Sequence, residues 1–333
     1  MLINYESAVR VAAQALENVG VPVQAARTQV SLLVEGELRG RASHGLLRLP
    51  RIIERIRNKV ADPIATGKHL WRGTSYLDVD GQNGLGPVVA LAALDAAMER
   101  TRDAGAVIVG IHNNNHLGML AWYAEHIARQ GYVLIAMSTS EALVHPWGGR
   151  SAMLGTNPIS VGVPTSDRPF VLDMATSVIS MGKIHDYAQL GKPLEPGWAL
   201  DTHGNPTTDA MSAKNGSIAP FGQAKGYALG LAIEVLVTSL TASAIGTEVQ
   251  GTLDSTEVCN KGDVFVVVKP GQSNVAAKIS AYLDLIRASG SEDGVQVLVP
   301  GDRATAMRNR MIAQGIDLPP ALWDRLRTDA EQK

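Results

Sequence analysis

Apolar residues recur at helical spacing from 5 to 19 and again from about 24 to 39, which predicts two amphipathic helices separated by Val21, Pro22 and Val23. Gly40 ends the second, and RASHGLLRLPRI (41–52) opens a third near Leu46. The period then changes. YLDVDG (76–81) reads as a strand and AVIVGI (106–111) as a buried one. Between them PVVALAALDAAMERTRDAG (87–105) is a helix ending on a glycine cap. NNNHLGMLAWYAEHIARQG (113–131) is a glycine-rich start into a helix, and YVLIAMS (132–138) is a strand. WGGRSAMLGTNP (147–158) is dense in turn formers, and FVLDMATS (170–177) is a strand with a polar end. KGYALGLAIEVLVTSLTASAIG (225–246) reads as an apolar helix buried on most of its surface, and VFVVVKPG (264–271) as a strand. Helices are predicted near 273–288, 304–314 and 320–328. With no repeat or flexible linker, the two lobes that 333 residues imply are interleaved rather than strung in series.

Composition narrows the class. Hydrophobic residues make up 45% and charged residues 19%, as in an ordinary globular chain. The net charge of -2 comes from 30 basic and 32 acidic residues with no basic block, which argues against nucleic acid as a partner. Cys259 is the only cysteine, so an intrachain disulfide and a cysteine metal cluster are excluded. The N-terminus lacks a signal peptide's basic start and continuous apolar run. No stretch approaches the roughly 18 apolar residues that span a membrane. A cytoplasmic protein without a membrane partner is expected. No metal site is expected either, because no cysteine set and no carboxylate cluster stand at ligand spacing. A serine-hydrolase elbow is missing too. GLGPVV (84–89) begins a dinucleotide-loop pattern but has Val89 at the third glycine, so it reads as a turn before a helix.

The candidate chemistry is histidine and arginine. His44 stands between Ser43 and Gly45; such a histidine can give a proton to a developing alkoxide. Arg48, four residues on, could hold a carboxylate through two parallel hydrogen bonds, and Arg51 follows three later. His116 follows three asparagines at a turn whose backbone N–H groups suit an anion or amide. Thr156 sits in the tight turn LGTNP, and Asp173, Thr176 and Ser177 sit at a strand end. Lys183, in MGK (181–183), could polarise a carbonyl oxygen or stand in solvent. Lys225 and Gly226 open the long apolar helix, and PGDR (300–303) is a turn; each could take a phosphate.

These stretches, in this order and wording, closely resemble the malate/L-lactate dehydrogenase family of the second type, over about residues 5 to 315. That family includes ureidoglycolate, sulfolactate and diketogulonate enzymes and reductases of cyclic imino acids. The resemblance implies an α/β (α+β-like) fold with a non-Rossmann NAD(P)-binding domain, its largely antiparallel sheet flanked by helices. It implies a mainly helical substrate and dimer domain from both chain ends, 1–75 with about 275–333, around a cofactor domain of about 76–274. It implies a homodimer whose partner subunit helps to close the site.

By the same resemblance, His44 and His116 are the acid/base candidates and Ser43 is the hydroxyl neighbour. Arg48 holds the substrate carboxylate, Thr156, Met181 and Gly182 line the substrate, and Lys183 stabilises the oxyanion. His116, Leu117, Gly118, Met119, Leu120, Ser140, Asp173, Met174, Ala175, Lys225, Gly226, Gly301, Asp302 and Arg303 touch NAD or NADP. An acidic Glu141 beside Ser140 favours NAD if the adenosine ribose lies there. The imino-acid reductases carry an aspartate where Lys183 stands, which favours a 2-hydroxy or 2-oxo acid over a cyclic imine here. A ligand-binding protein without turnover is the alternative outside the enzyme class.

Overall fold

The computed structural model describes residues 1–271, 275–290 and 294–332. In chain order the principal helices begin with α1 (Tyr5–Glu17), α2 (Val23–Leu38), α3 (Leu49–Arg57), α4 (Gly86–Ala104) and α5 (Leu120–Arg129). They continue with α6 (Met181–Gln189), α7 (Ala224–Thr241), α8 (Val275–Arg287), α9 (Asp302–Gln314) and α10 (Pro320–Glu331). The first two residues of the helix expected from 273 lie outside the described residues. Local chemistry sets the ends. Asn4 caps α1 by accepting from the Glu6 and Ser7 amides at 2.8 and 3.3 Å. Pro87 sits in the first turn of α4 and Gly105, at φ 76°, ends it.

The central sheet has strands β1 (Lys68–Trp71), β2 (Tyr76–Asp80), β3 (Ala106–His112), β4 (Val133–Ser138), β5 (Ile159–Val163), β6 (Phe170–Met174) and β7 (Asp263–Val268). Their order is β1-β2-β3-β7-β4-β5-β6. Only the β2/β3 pair runs parallel, joined through α4; the other neighbours are antiparallel. Strand periodicity divides the sheet cleanly. Val107, Val109, Ile111, Leu134, Ala136, Phe265 and Val267 face α4, α5 and the terminal helices in one continuous core. Ile108, Ile135, Met137 and Val264 face Ile233 and Val237 of α7 on the other side. That first core also takes in Ile3, Leu16, Leu326 and Ile316, because the two chain ends meet: Leu2–Ile3 pairs with Ile316–Asp317. A smaller core, including Val144, Ile184, Ala199 and Ile218, stabilises a separate lobe of α6 and short strands.

Two expectations are corrected. Helix α7 is not buried on most of its surface. Leu229, Leu231, Val235 and Leu236 are 36%, 38%, 49% and 44% exposed, while Gly230, Ile233, Glu234 and Val237 face the sheet. It also has 18 residues with a mean hydropathy of 1.2, enough length and composition to cross a membrane. Its buried Glu234, however, accepts from the Asn157 side chain at 2.5 Å and from the Gly246 amide at 2.9 Å, which ties it into this fold.

Candidate functional site

The segment after α2 carries the first candidates. Its two short turns, 42–44 and 46–48, are 3₁₀, and α3 proper begins at Leu49, later than the sequence pattern suggests. The tight turns keep Ser43, His44 and Arg48 together. Ser43 Oγ lies 3.1 Å from His44 Nδ1, and Arg48 Nε donates to the Ser43 carbonyl at 2.8 Å. Beneath the turn lies Glu37, buried in α2, whose Oε1 accepts from the Leu46 amide at 2.7 Å. Burial raises its carboxyl to about 7, with the Leu46 and Leu47 amides pulling the other way.

His116 is placed by its three asparagines, each with a different task. Asn113 donates to Asp80 at 3.1 Å and Asn114 to Asp263 at 3.1 Å. Asn115 donates to the Asn83 and Gly84 carbonyls and accepts from Arg55 Nε at 2.9 Å. Gly86 explains why GLGPVV is no phosphate loop: a Cβ there would collide with the His116 carbonyl, so this glycine is spent on backbone contact. The His44 and His116 rings lie 5.6 Å apart, centroid to centroid, at 39°. His116 Nδ1 accepts from the Gly118 amide at 2.9 Å, so the neutral ring carries its proton on Nε2.

Burial keeps both rings neutral, and nearby positive charge adds to it. Burial lowers His44 to about 3, and Arg48 and Arg41 add to the shift. Burial pushes His116 well below the usual imidazole range, with Arg48 and His44 next in effect. Burial also brings the Arg48 guanidinium down to about 10, so it stays charged at neutral pH. A cavity of about 30 Å³ lies against Arg48, Arg51, Arg55 and His116.

Residues at the sheet's end form a second hydrogen-bonded group. The Thr156 amide donates to Ser140 Oγ at 3.1 Å, and the Thr176 amide to the Thr156 carbonyl at 2.8 Å. Buried Glu234 holds this turn from α7 through Asn157, a contact that nothing in the local sequence signals. The Phe221 amide donates to the Thr176 carbonyl at 3.0 Å, which sets Lys225 and Gly226, at the start of α7, beside the strand end after Asp173, Met174 and Ala175. Gly182 lies against Ser43: a Cβ there would sit 2.8 Å from Ser43 Cβ. Met181 packs on the small lobe. Lys183, next along the helix, is exposed, with its ammonium 5.8 Å above the Tyr187 ring and no hydrogen bond or ion pair to the histidines. Helical phase turns it away when Gly182 meets Ser43.

A second cavity, of about 60 Å³, runs between the α5 start, β6 and the PGDR turn, lined by Arg41, Met119, Val171, Asp173, Gly301 and Thr305. Asp173 accepts from the Ala121 amide at 2.8 Å, capping α5, and burial raises its carboxyl to about 6. The Arg41 guanidinium, which the sequence reading passed over, makes no hydrogen bond or ion pair among the described residues. Apolar Met119, Pro169 and Val171 beside the unpaired Arg41 guanidinium give this cavity a wall and a cation that fit a dinucleotide. Some expected contacts fall elsewhere. Leu117 and Leu120 point into the core. Arg303 is exposed on α9. The Asp302 carboxylate is spent on Arg168 and Arg287, which hold it near 2. Glu141 is also spent: it accepts from the Thr252 and Leu253 amides at 2.7 and 2.9 Å and from the Thr252 hydroxyl at 3.1 Å, so it carries no argument for NAD.

Comparison with known proteins agrees with this arrangement. The malate/L-lactate dehydrogenase family model matches residues 3–327. The chain is 32% identical to the malate/(S)-sulfolactate dehydrogenase of Methanothermus fervidus, covering 100% of this chain and 98% of that one. It is 33% identical to the (2R)-3-sulfolactate dehydrogenase (NADP(+)) of Chromohalobacter salexigens, covering 99% and 98%. The crystal structure of a dehydrogenase from Sinorhizobium meliloti superposes with a TM-score of 0.95 at 46% identity, over 99% of this chain and 98% of that one. A match along almost the whole length, with the histidines and Arg48 assembled at one place, leaves one conclusion: the chain belongs to the malate/L-lactate dehydrogenase family.

Proposed function

We propose that the protein is a nicotinamide-dependent oxidoreductase that interconverts small 2-hydroxy and 2-oxo carboxylic acids. The observation that carries this is the pair of histidine rings, 5.6 Å apart, held beside the half-buried Arg48. The cofactor domain of about 76–274, built on the mixed sheet and not on a dinucleotide-loop fold, would offer Ser140, Met174, Ala175, Gly118, Met119 and the 300–303 turn, with Arg41 for the phosphates and Lys225 at the start of α7. The chain ends would form the second domain. When bound, the nicotinamide supplies or accepts the hydride at C2 of the substrate.

Arg48 takes the carboxylate, because its fork can offer two parallel N–H donors. The two histidines divide the work by their tautomers. His116 Nε2–H donates to the C2 oxygen and steadies its negative charge, since its Nδ1 is committed to Gly118. His44, free to exchange a proton, takes it from the hydroxyl during oxidation and returns it during reduction. Burial is the main cause that depresses His44, so it is neutral and able to accept the hydroxyl proton when a 2-hydroxy acid binds; a carboxylate on Arg48 offsets part of the neighbouring positive charge and eases that transfer. Lys183, standing over Tyr187, leaves the oxyanion to His116. No carboxylate stands at position 183 to complete the relay of the imine reductases, which favours hydroxy acids.

The functional unit in this reading is a homodimer, with the exposed apolar stripe of α7 against its counterpart, which moves the dimer face from the chain-end domain that the resemblance implies to the cofactor domain. The test is oxidation of NADH and of NADPH against pyruvate, oxaloacetate, sulfopyruvate, 2-oxoglutarate, diketogulonate and the cyclic imines of proline and pipecolate. Turnover of open-chain 2-oxo acids is expected with at least one cofactor. Turnover confined to the imines, or none with any compound, overturns the proposal.

A further inference from the structure

We propose that Arg51 binds a second acidic group on the substrate, so that the site selects a 2-oxo or 2-hydroxy acid carrying a distal carboxylate or sulfonate over a simple monocarboxylate. The inference rests on the reading of Arg48 as the carboxylate clamp. Arg48, Arg51 and Arg55 recur at i, i+3 and i+7, which sets all three on one stripe of the segment leading through α3. All three line the same cavity as His116.

Their guanidinium groups are not equally available. Arg55 is committed: Nε donates to Asn115 at 2.9 Å, and Nη1 to the Asp254 carbonyl at 2.9 Å. It is a fixed strut between the His116 segment and the 251–254 loop. Arg48 is oriented by the Ser43 carbonyl and, at 3.3 Å, by the Thr252 carbonyl, so one edge of its fork remains for a ligand. Arg51 makes no side-chain hydrogen bond and no ion pair among the described residues, and it is exposed at the cavity mouth.

The nearby acids do not answer it. Glu141 is spent on the Thr252 and Leu253 amides, and Asp254 accepts from the Thr256 and Glu257 amides at 2.8 and 2.7 Å. Arg51 is nonetheless close enough to lower the affinity of Arg48, Arg55 and His116 for their protons. One guanidinium suffices for one carboxylate. A second, with no hydrogen-bonded or ion-paired partner among the described residues and set next to the first and its histidines, is a binding site for a second anion. The cavity of about 30 Å³ holds only about two waters, so the distal group meets Arg51 at the mouth and not in the interior.

The experiment compares oxaloacetate and sulfopyruvate with 2-oxobutyrate, which has a similar chain length but no distal charge. Wild-type protein and the variants Arg51→Gln and Arg51→Lys are each assayed for kcat/KM. The expected result is a wild-type preference for the dianions of about 10- to 100-fold, the range of a charged hydrogen bond. Arg51→Gln should lose most of that ratio, chiefly through KM, with little change toward 2-oxobutyrate, and Arg51→Lys should keep part of it. The inference is overturned if the wild type shows no preference, or if Arg51→Gln depresses all three substrates alike. Absence of turnover with every 2-oxo acid, 2-oxobutyrate included, would instead remove the underlying reading and this inference with it.

Discussion

Glu37 illustrates how much of the site depends on a residue that performs no chemistry. Its carboxylate caps the turn that bears His44 and Arg48, and burial raises it from the ordinary 4.5 to about 7. In the folded chain it therefore keeps a proton that the unfolded chain has released. That contribution is complete below about pH 4.5 and is lost as pH rises through about 7. Above pH 7 the buried charge costs on the order of 3 kcal/mol. Glu37→Gln keeps an acceptor for the Leu46 amide and removes the charge. Thermal denaturation should show the variant more stable than wild type at pH 8 and little changed at pH 5; an equal shift at both values would contradict the account. RASHGLLRLPR was legible in the sequence because its unusual residues are adjacent and its order resembles a known family. Glu37 was not, because a polar residue inside an amphipathic helix reads as part of the solvent face. Lys183 shows the converse: motif membership gave its position, but its direction depends on helical phase once Gly182 meets Ser43.

Among the elements, long periodic segments matched the structure closely, as with α1, α2, α4 and β3. The strands missed were short: β1, at the sheet edge, and β5, whose ISVGV alternation was hidden behind the turn-rich run before it. Helix α7 was recognised but misread. Apolar periodicity reports a face that avoids water, and does not say whether the same chain covers it. Here Glu234, Ile233 and Val237 meet the sheet while Leu231 and Val235 remain open. If that stripe is the dimer face, Leu231→Glu should convert the protein to a monomer in sedimentation velocity while its far-ultraviolet dichroism is unchanged. A wild-type monomer, or a variant with undiminished association, would exclude this face.

At the scale of the whole molecule, one core runs from the joined chain ends through the sheet, and the catalytic candidates lie where it reaches the strand ends. The β2–α4–β3 unit resembles the start of a nucleotide-binding fold, yet its glycine turn is closed by the His116 backbone. Non-local packing of this kind leaves no trace in local periodicity. The same packing brings His116 from a distant part of the chain to His44 and Arg48, and its burial of both rings keeps them neutral. In the proposed reaction this pair handles the substrate's proton and oxyanion. The most direct measurement is turnover of the His44→Ala/His116→Ala double variant with the best 2-oxo acid, alongside its dinucleotide dissociation constant. The expected result is a fall in kcat of at least about 100-fold, with dinucleotide affinity within a few-fold of wild type. Wild-type turnover in a variant that binds the dinucleotide normally would contradict it.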